Sequence, residues 1–344
     1  MISAISGWRQ QARRLRNRLS PGGLILLYHS VAEVTSDFWS LCVSPRNFAQ
    51  QMEVLQNLGI AVSLQQLNQT LEAGKRPQQQ VVVTFDDGYA DNLYNAKPIL
   101  ERYGIPATIF LTTGYMVQAR EFWTDELDRL LLQPGKLPEV LKLKIQGIHY
   151  EWELGAASNY SEQDAQRYRG LNYLSPHIPS IRHSLYYSLY QLLYPLPARE
   201  RWYLIEQIRI WAGVEIGVRS THRTLTPEEI SALAAGELIE IGAHTVFHPF
   251  LSTLSTDAQW LEITHSQAVL EDIVGRPVVS FAYPHGNFTA ETKAIVQEVG
   301  FRCACSTVPK SVGKHSDRFA LPRVVVEDCN GEEFARRLFE WFEN

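Results

Sequence analysis

Two adjacent carboxylates, Asp86 and Asp87, end a run of β-branched residues in the stretch VVVTFDDGYADN. Burying an unpaired carboxylate is costly, so a pair at the end of a core strand calls for a cation, a proton or a substrate beside it. Three other segments carry suitable partners. EIGAHTVFHP places His244 and His248 four apart after an apolar run, SFAYPHGN places His285 after another, and LLYHSV places His29 near the end of the first. One histidine alone is more often a satisfied core or surface residue, but an H-x-x-x-H facing a carboxylate from another strand end is a pattern for a divalent metal. Two imidazoles and one carboxylate leave open positions on the ion, which can bind water and polarise a carbonyl oxygen at once. A second carboxylate close by can take the proton of that water. One aspartate then binds metal while its neighbour, held close by the glycine turn, serves as general base, and the ion's charge keeps both ionised.

These residues need strands to carry them, and the chain alternates strand-like and helix-like segments. GLILLYHSV reads as a strand. A helix follows, with Ser44 as N-cap, Pro45 at its first position, Phe48, Met52 and Leu55 on one face and Gly59 past its end. QVVVTF is the next buried strand, a helix from about Ala90 to Tyr103 stops at Gly104, and PATIFLTT is a strand. Thr226, Pro227 and Glu229 form a capping box, followed by the strand ELIEIGAH, a long helix from about Thr256 and the strand PVVSFAYP. A helix over 289–299, the short strands RCACST and ALPRVVV, and the amphipathic EEFARRLFEWFEN complete the pattern. Repeated β-then-α units with short connections imply a parallel sheet. This many of them predict a closed or nearly closed barrel, whose function sits at the C-terminal ends of the strands.

Two regions break the rhythm. Between FLTTGYM and Thr226 lie about a hundred residues, far beyond an ordinary loop, which predict an inserted, mostly helical subdomain over 121–225. It is rich in aromatic residues, and such stripes are more often core than sugar platforms. At the N-terminus, Ile2, Ile5, Trp8, Ala12, Leu15 and Leu19 recur at helical spacing among Arg9, Arg13, Arg14, Arg16 and Arg18. A basic amphipathic helix over residues 1–20 is expected there, packed on the domain's own surface or docked on an anionic membrane leaflet, where each basic residue gains roughly 1 kcal/mol.

Composition sets outer bounds. With 344 residues, 45% hydrophobic and 20% charged, the chain is long and apolar enough for one large core with an insertion. A net charge of −5 gives no reason to expect nucleic acid. The four cysteines include no C-x-x-C pair, and Cys303 and Cys305 alternate as same-face strand residues do, so buried thiols are expected rather than disulfides or zinc ligands. No secretory signal or spanning segment is legible, which points to a cytoplasmic protein, peripheral to the membrane's inner face if the basic helix docks there.

TFDDG, HTVFH and FAYPHG in this order at barrel strand ends resemble the polysaccharide deacetylase family, carbohydrate esterase family 4. The resemblance covers about residues 23–120 and 225–330. It implies a distorted, incomplete (β/α) barrel of the α/β class, with Asp86 as general base and Asp87, His244 and His248 as ligands of a divalent metal, zinc foremost, with cobalt, nickel or iron also suited to that ligand set. The family's proline-tyrosine motif usually carries an arginine that orients the base. Ala282 stands there, so Arg323 in ALPRVVV is the candidate substitute. The family's late leucine-x-x-histidine acid is also missing, and LLYHSV resembles the tyrosine-histidine motif of the branch acting on poly-N-acetylglucosamine, which would make His29 the acid. The implied reaction is hydrolysis of an N-acetylated sugar, with the metal and the amide of Tyr89 stabilising the oxyanion. Tyr283 and His285 would shape the sugar pocket, with Trp123, Asp125 and Glu126 bordering it from the insertion.

Alternative readings are a related hydrolase acting on a lipid-linked or nucleotide-linked sugar or a small amide, a weakly catalytic glycan-binding module, and a purely structural metal site. A mere binder has no need of a base beside a metal, and a structural zinc site is usually closed by cysteine-rich ligand sets.

Overall fold

The structure is a computed structural model that describes residues 21–118, 120–173 and 175–343. The expected N-terminal amphipathic helix and its membrane contact lie outside the described residues. No described helix is long and apolar enough to cross a membrane.

The described residues divide into two compact units, one of residues 21–33, 42–118 and 225–343, the other of residues 34–41, 120–173 and 175–224. The first carries the predicted barrel. Its strands are β1 (Gly23–Tyr28), β2 (Gln80–Phe85), β3 (Ala107–Leu111), β4 (Ile239–Ala243), β5 (Ser280–Ala282), β6 (Cys303–Cys305) and β7 (Val324–Val325). All pair in parallel, in the order β6-β5-β4-β3-β2-β1-β7. The strands are mostly apolar because both faces are covered, with Thr84, Thr108, Glu240 and Ser280 among the polar exceptions. Leu24, Leu26, Val81, Val83, Ile109 and Ile241 pack outward with helix residues such as Phe48, Met52 and Ile263. Ile25, Val82, Phe110, Ala282, Cys303 and Cys305 pack on the other face with Leu64 and Leu67. Both cysteines of β6 are buried free thiols.

The edges β6 and β7 are joined by one thin seam. Leu321 bridges Cys305, its amide donating to Ala304 O at 2.8 Å and its carbonyl accepting from Ser306 N at 2.7 Å, before the chain crosses to pair with β1. The barrel is therefore incomplete, as expected, and ALPRVVV is a crossing segment rather than one strand.

Local signals are realised where they were read. Ser44 accepts from Asn47 N, and Gly59 ends the helix Pro45–Leu58 at φ 62°. Thr226 and Glu229 cap each other's backbone at the helix Pro227–Leu233. The helix expected from Ala90 begins instead with a π turn over Asn92–Ala96 and becomes α-helical over Lys97–Tyr103.

The second unit is built around the helices Trp123–Leu131, Glu162–Tyr168, Ile181–Leu193 and Ala198–Ala212. It also contains an antiparallel hairpin, Val140–Ile145 with Ile148–Glu153, absent from the helical expectation. In LKLKI, Leu141, Leu143 and Ile145 are buried while Lys142 and Lys144 are exposed, the period-two alternation of a one-sided sheet. The buried Arg182 ties this unit together by donating to the carbonyls of Leu131, Gly135, Ala157 and Ser158. The unit also recruits residues 34–41, which the motif-based division left with the barrel.

Candidate active site

Register places the chemistry. Tyr28 of β1 pairs with Phe85 of β2, so the next residues, His29 and Asp86, emerge side by side, with Asp86 N donating to Tyr28 O at 3.0 Å. Two strands further on, His244 follows β4 and its amide donates to Leu111 O at 3.0 Å.

Adjacent residues of a strand point to opposite faces, yet Asp86 and Asp87 both reach His244 Nε2, at 3.8 and 3.6 Å. The backbone resolves this with a three-residue γ-turn. Gly88 N donates to Asp86 O at 2.9 Å around Asp87, which sits at φ 75°. Such a conformation costs a non-glycine residue on the order of 1–3 kcal/mol. Gly88 continues the turn at φ 80°, and a Cβ there would lie 2.6 Å from the Leu111 side chain, so only glycine fits.

The two carboxylates have different partners. Asp86 is gripped by Arg323, whose Nη1 donates to Oδ1 at 2.7 Å and Nη2 to Oδ2 at 2.6 Å. The guanidinium is 0% exposed, also donates to Ser306 O at 2.8 Å, and lies over the Phe110 ring at 5.5 Å. Phe110 fits beneath it because its cross-strand neighbour is Gly242, where a Cβ would stand 2.4 Å from the ring. Burial pushes the Asp86 carboxyl up, but Arg323 and then His244 more than reverse this and hold it below the usual carboxylate value.

Asp87 faces the histidines instead. Its Oδ1 lies 3.6 Å from His244 Nε2 and 3.4 Å from His248 Nε2, and the two imidazole nitrogens are 3.1 Å apart. A divalent ion with ligand bonds of about 2.0–2.2 Å spaces its donors about 3–3.6 Å apart, so this triad fits one. His244 Nδ1 is 2.8 Å from Ala282 O, and since a carbonyl only accepts, Nδ1 carries the proton and Nε2 presents a lone pair. Burial lowers the His244 pKa against the pull of Asp86, which keeps the ring in the neutral, ligating form. The loop between the histidines is strained, with Thr245 at φ 65° and His248 at φ 54°. It is held by Glu262, whose Oε2 accepts from Val246 N at 2.8 Å and Phe247 N at 2.9 Å.

His29 stands at the end of β1, beside Asp86 in the register of β1 on β2. Burial pushes its pKa down to about 4, with Asp86 pulling it up and Arg323 and His244 adding to the depression. Its backbone is fixed from the π turn, where Asn92 Nδ2 donates to His29 O at 2.8 Å. Asp91 beside it accepts from Ser30 Oγ at 2.6 Å and Val31 N at 2.9 Å.

The remaining expected residues fall differently. Tyr89 is buried next to the aspartate turn, its carbonyl accepting from Asn92 N at 3.0 Å. His285 is at φ 57°, exposed, with its ring stacked on Phe250 at 3.9 Å and edge-on to His248 at 4.4 Å, which puts it at the mouth. Tyr283 is core rather than pocket lining, because its hydroxyl donates to Phe319 O at 2.9 Å while its ring stacks on Phe288. Trp123 is likewise core of the second unit, stacked on Tyr190 at 5.3 Å with the Arg201 guanidinium over its ring at 4.8 Å, which leaves no open face for a sugar. Asp125 and Glu126 belong to that unit's own network, the Asp125 carbonyl accepting from Arg219 and the Glu126 carboxylate pairing with Arg129.

Asp91, Glu262, Phe110 and Gly242 escaped the sequence reading. The DN pair within FDDGYADN was the one available signal, since Glu262 sits on an ordinary helix and the fit of Phe110 against Gly242 exists only across two strands.

The family model for polysaccharide deacetylase matches residues 73–142 and 184–304, more than half of the chain, and includes Asp86, Asp87, His244 and His248. The chain belongs to the polysaccharide deacetylase family. A curated relative, YxkH of Bacillus subtilis (strain 168), classed by name among polysaccharide deacetylases, is 34% identical over 113 residues, which are 32% of this chain and 39% of that protein. The match thus spans well under half the length of that relative. Among solved structures, the chain is similar to the Streptococcus pyogenes deacetylase PplD in complex with acetate, with TM-score 0.56 and 17% identity over 93% of this chain and 99% of that one. It is also similar to IcaB from Ammonifex degensii, with TM-score 0.54 and 18% identity over 95% and 99% of the two chains. These likenesses establish the family's incomplete barrel as the fold. His29 and Arg323 lie outside the family-model match, so the geometry around Asp86 is what singles them out.

Proposed function

We propose that this polysaccharide deacetylase family member is a metal-dependent hydrolase that removes acetyl groups from N-acetylated sugars of the N-acetylglucosamine type. The observation that carries the reading is the division of labour between neighbouring carboxylates, one locked to a buried arginine and one turned toward two imidazoles. A binding module or a structural metal site has no use for the first. The structure of PplD with acetate, the product such a reaction releases, supports the same reading.

Asp87, His244 and His248 would hold a divalent ion, which when bound supplies a Lewis acid that polarises the amide carbonyl and acidifies water. Zinc suits this donor set, as do cobalt, nickel and iron. Asp86, kept ionised by Arg323, accepts a proton from the attacking water. The bidentate grip fixes the direction in which that carboxylate faces. Attack converts the amide carbon to a tetrahedral anion, and negative charge next to His29 raises its proton affinity from the low resting value. His29 takes up a proton from solvent in answer to that charge and gives it to the departing nitrogen as the C–N bond breaks, while the proton on Asp86 passes to solvent, leaving acetate and the amino sugar with both side chains restored.

The test is acetate release by metal-reconstituted protein from N-acetylglucosamine oligomers, nucleotide-linked N-acetylglucosamine and O-acetylated xylan, with Asp86→Asn as control. Release from an N-acetylated sugar, abolished in the control, is the expected result. Silence on every substrate with metal bound would overturn the proposal and favour a different amide or a glycan-binding role.

A further inference from the structure

Three side chains at the start of the helix after the aspartate turn reach across to one short segment. Asp91 accepts from Ser30 Oγ at 2.6 Å and from Val31 N at 2.9 Å, Asn92 Nδ2 donates to His29 O at 2.8 Å, and Asn95 Nδ2 donates to Val31 O at 2.7 Å. Asn92 Nδ2 also donates to Asp91 Oδ1 at 3.0 Å, so the clamp is internally braced. In a regular α-helix residue 92 points about 100° away from 91 and about 60° away from 95. The i→i+5 bond from Lys97 N to Asn92 O widens this turn, and all three side chains serve one target.

A buried carboxylate spent on a backbone amide and a serine hydroxyl is an expensive way to hold a loop, and helix packing alone could do that. What sets this loop apart is that it begins with His29. The segment 86–95 therefore carries the base, a metal ligand and the clamp on the candidate acid, which ties the separation of base and acid to one stretch of chain.

We infer that Asp91 is a positioning residue that holds His29 beside Asp86 through the 29–31 backbone. The inference rests on the proposed role of His29 as the acid, and it is tested by a double-mutant cycle on the metal-loaded enzyme turning over an N-acetylglucosamine oligomer. Asp91→Ala is expected to lower kcat at least tenfold with KM and zinc stoichiometry unchanged. Asp91→Asn keeps an acceptor for Val31 N, and the Ser30 hydroxyl can rotate to accept from the new amide, so this variant recovers to within about threefold of wild type. In a His29→Ala background the Asp91→Ala change costs less than twofold, because the residue through which it acts is gone. Should Asp91→Ala fail to fold, Ser30→Ala removes a single bond of the clamp and is expected to lower kcat two- to fivefold with the same loss of effect beside His29→Ala. An equal fold-loss in both backgrounds overturns the positioning role and leaves His29 as the acid. A fully active His29→Ala enzyme overturns the acid and the inference together, so the two failures are distinguishable.

Discussion

Replacing Arg323 by methionine is the sharpest test of how the site is built. The guanidinium makes two charge-assisted hydrogen bonds to Asp86, at 2.7 and 2.6 Å, and both partners are buried. Methionine fills much of the same space over Phe110 but leaves Asp86 a buried carboxylate without its counter-ion. Breaking a buried pair from one side costs about 3–5 kcal/mol. Against a total stability of about 5–15 kcal/mol for an ordinary domain, a loss of that size is easily measured. Urea unfolding of metal-free protein at pH 7.5 isolates the effect from metal binding. Adding Asp86→Asn to Arg323→Met should recover at least half of the loss, because it removes the stranded charge. The pH dependence has a definite sign. In the wild type the Asp86 pKa is held below its unfolded value, so its contribution is present above about pH 4 and is lost as pH falls through the folded pKa. In Arg323→Met, burial acts unopposed by the guanidinium and raises that pKa, so the variant gains on the wild type as pH falls from 7.5 to 4.5. Turnover should fall about 100-fold or more with the loss of an oriented, ionised base. A stability loss below about 1 kcal/mol that does not change with pH would refute the claim that this pair holds the base.

Three further outcomes follow from the same geometry. Gly242→Ala pushes a methyl group to 2.4 Å from the Phe110 ring and should cost about 1–3 kcal/mol in urea unfolding while lowering turnover through the displaced Arg323. Adding Phe110→Leu should relieve part of the stability loss. Glu262→Ala removes the acceptor for two amides of the loop between His244 and His248, the proposed metal ligands, so zinc affinity measured calorimetrically should drop about tenfold, whereas Glu262→Gln retains an acceptor and should stay near wild type. His183 of the second unit is 3% exposed, and burial pushes its pKa down to about 4. Its unfolded form takes up a proton near pH 6.5 and the folded form does not, so stability is lost as pH falls from there. Replacing it with phenylalanine should remove about 2 kcal/mol of the loss between pH 7 and 5, read by urea unfolding at the two pH values.

The motif residues were legible because their signals are local. A β-branched run ending in FDDG announces a strand end with two acids, and HTVFH announces two imidazoles at one loop, whatever surrounds them. The caps at Ser44 and Thr226 are equally local, since each is settled by hydrogen bonds within four residues. Arg323 was reachable only by elimination, from the alanine at position 282 where the family has its arginine. Tyr283 and Trp123 went the other way, because a tyrosine beside a histidine motif and a tryptophan in an insertion look the same in sequence whether their rings face a sugar or a core.

From the sequence alone came the alternation of strands and helices, the strand ends at which chemistry collects, and the residue types able to hold a metal and move a proton. Tertiary structure alone decided which groups share a site. The register of β1 on β2 set His29 beside Asp86, the γ-turn at Asp87 gave two neighbouring acids separate partners, and the crossing segment after Leu321 brought an arginine more than two hundred residues away onto Asp86. The physical reason is range. Propensity and capping act over a few residues, but the partner of a buried charge is chosen by which strands lie side by side, and that choice is made only when the barrel curls.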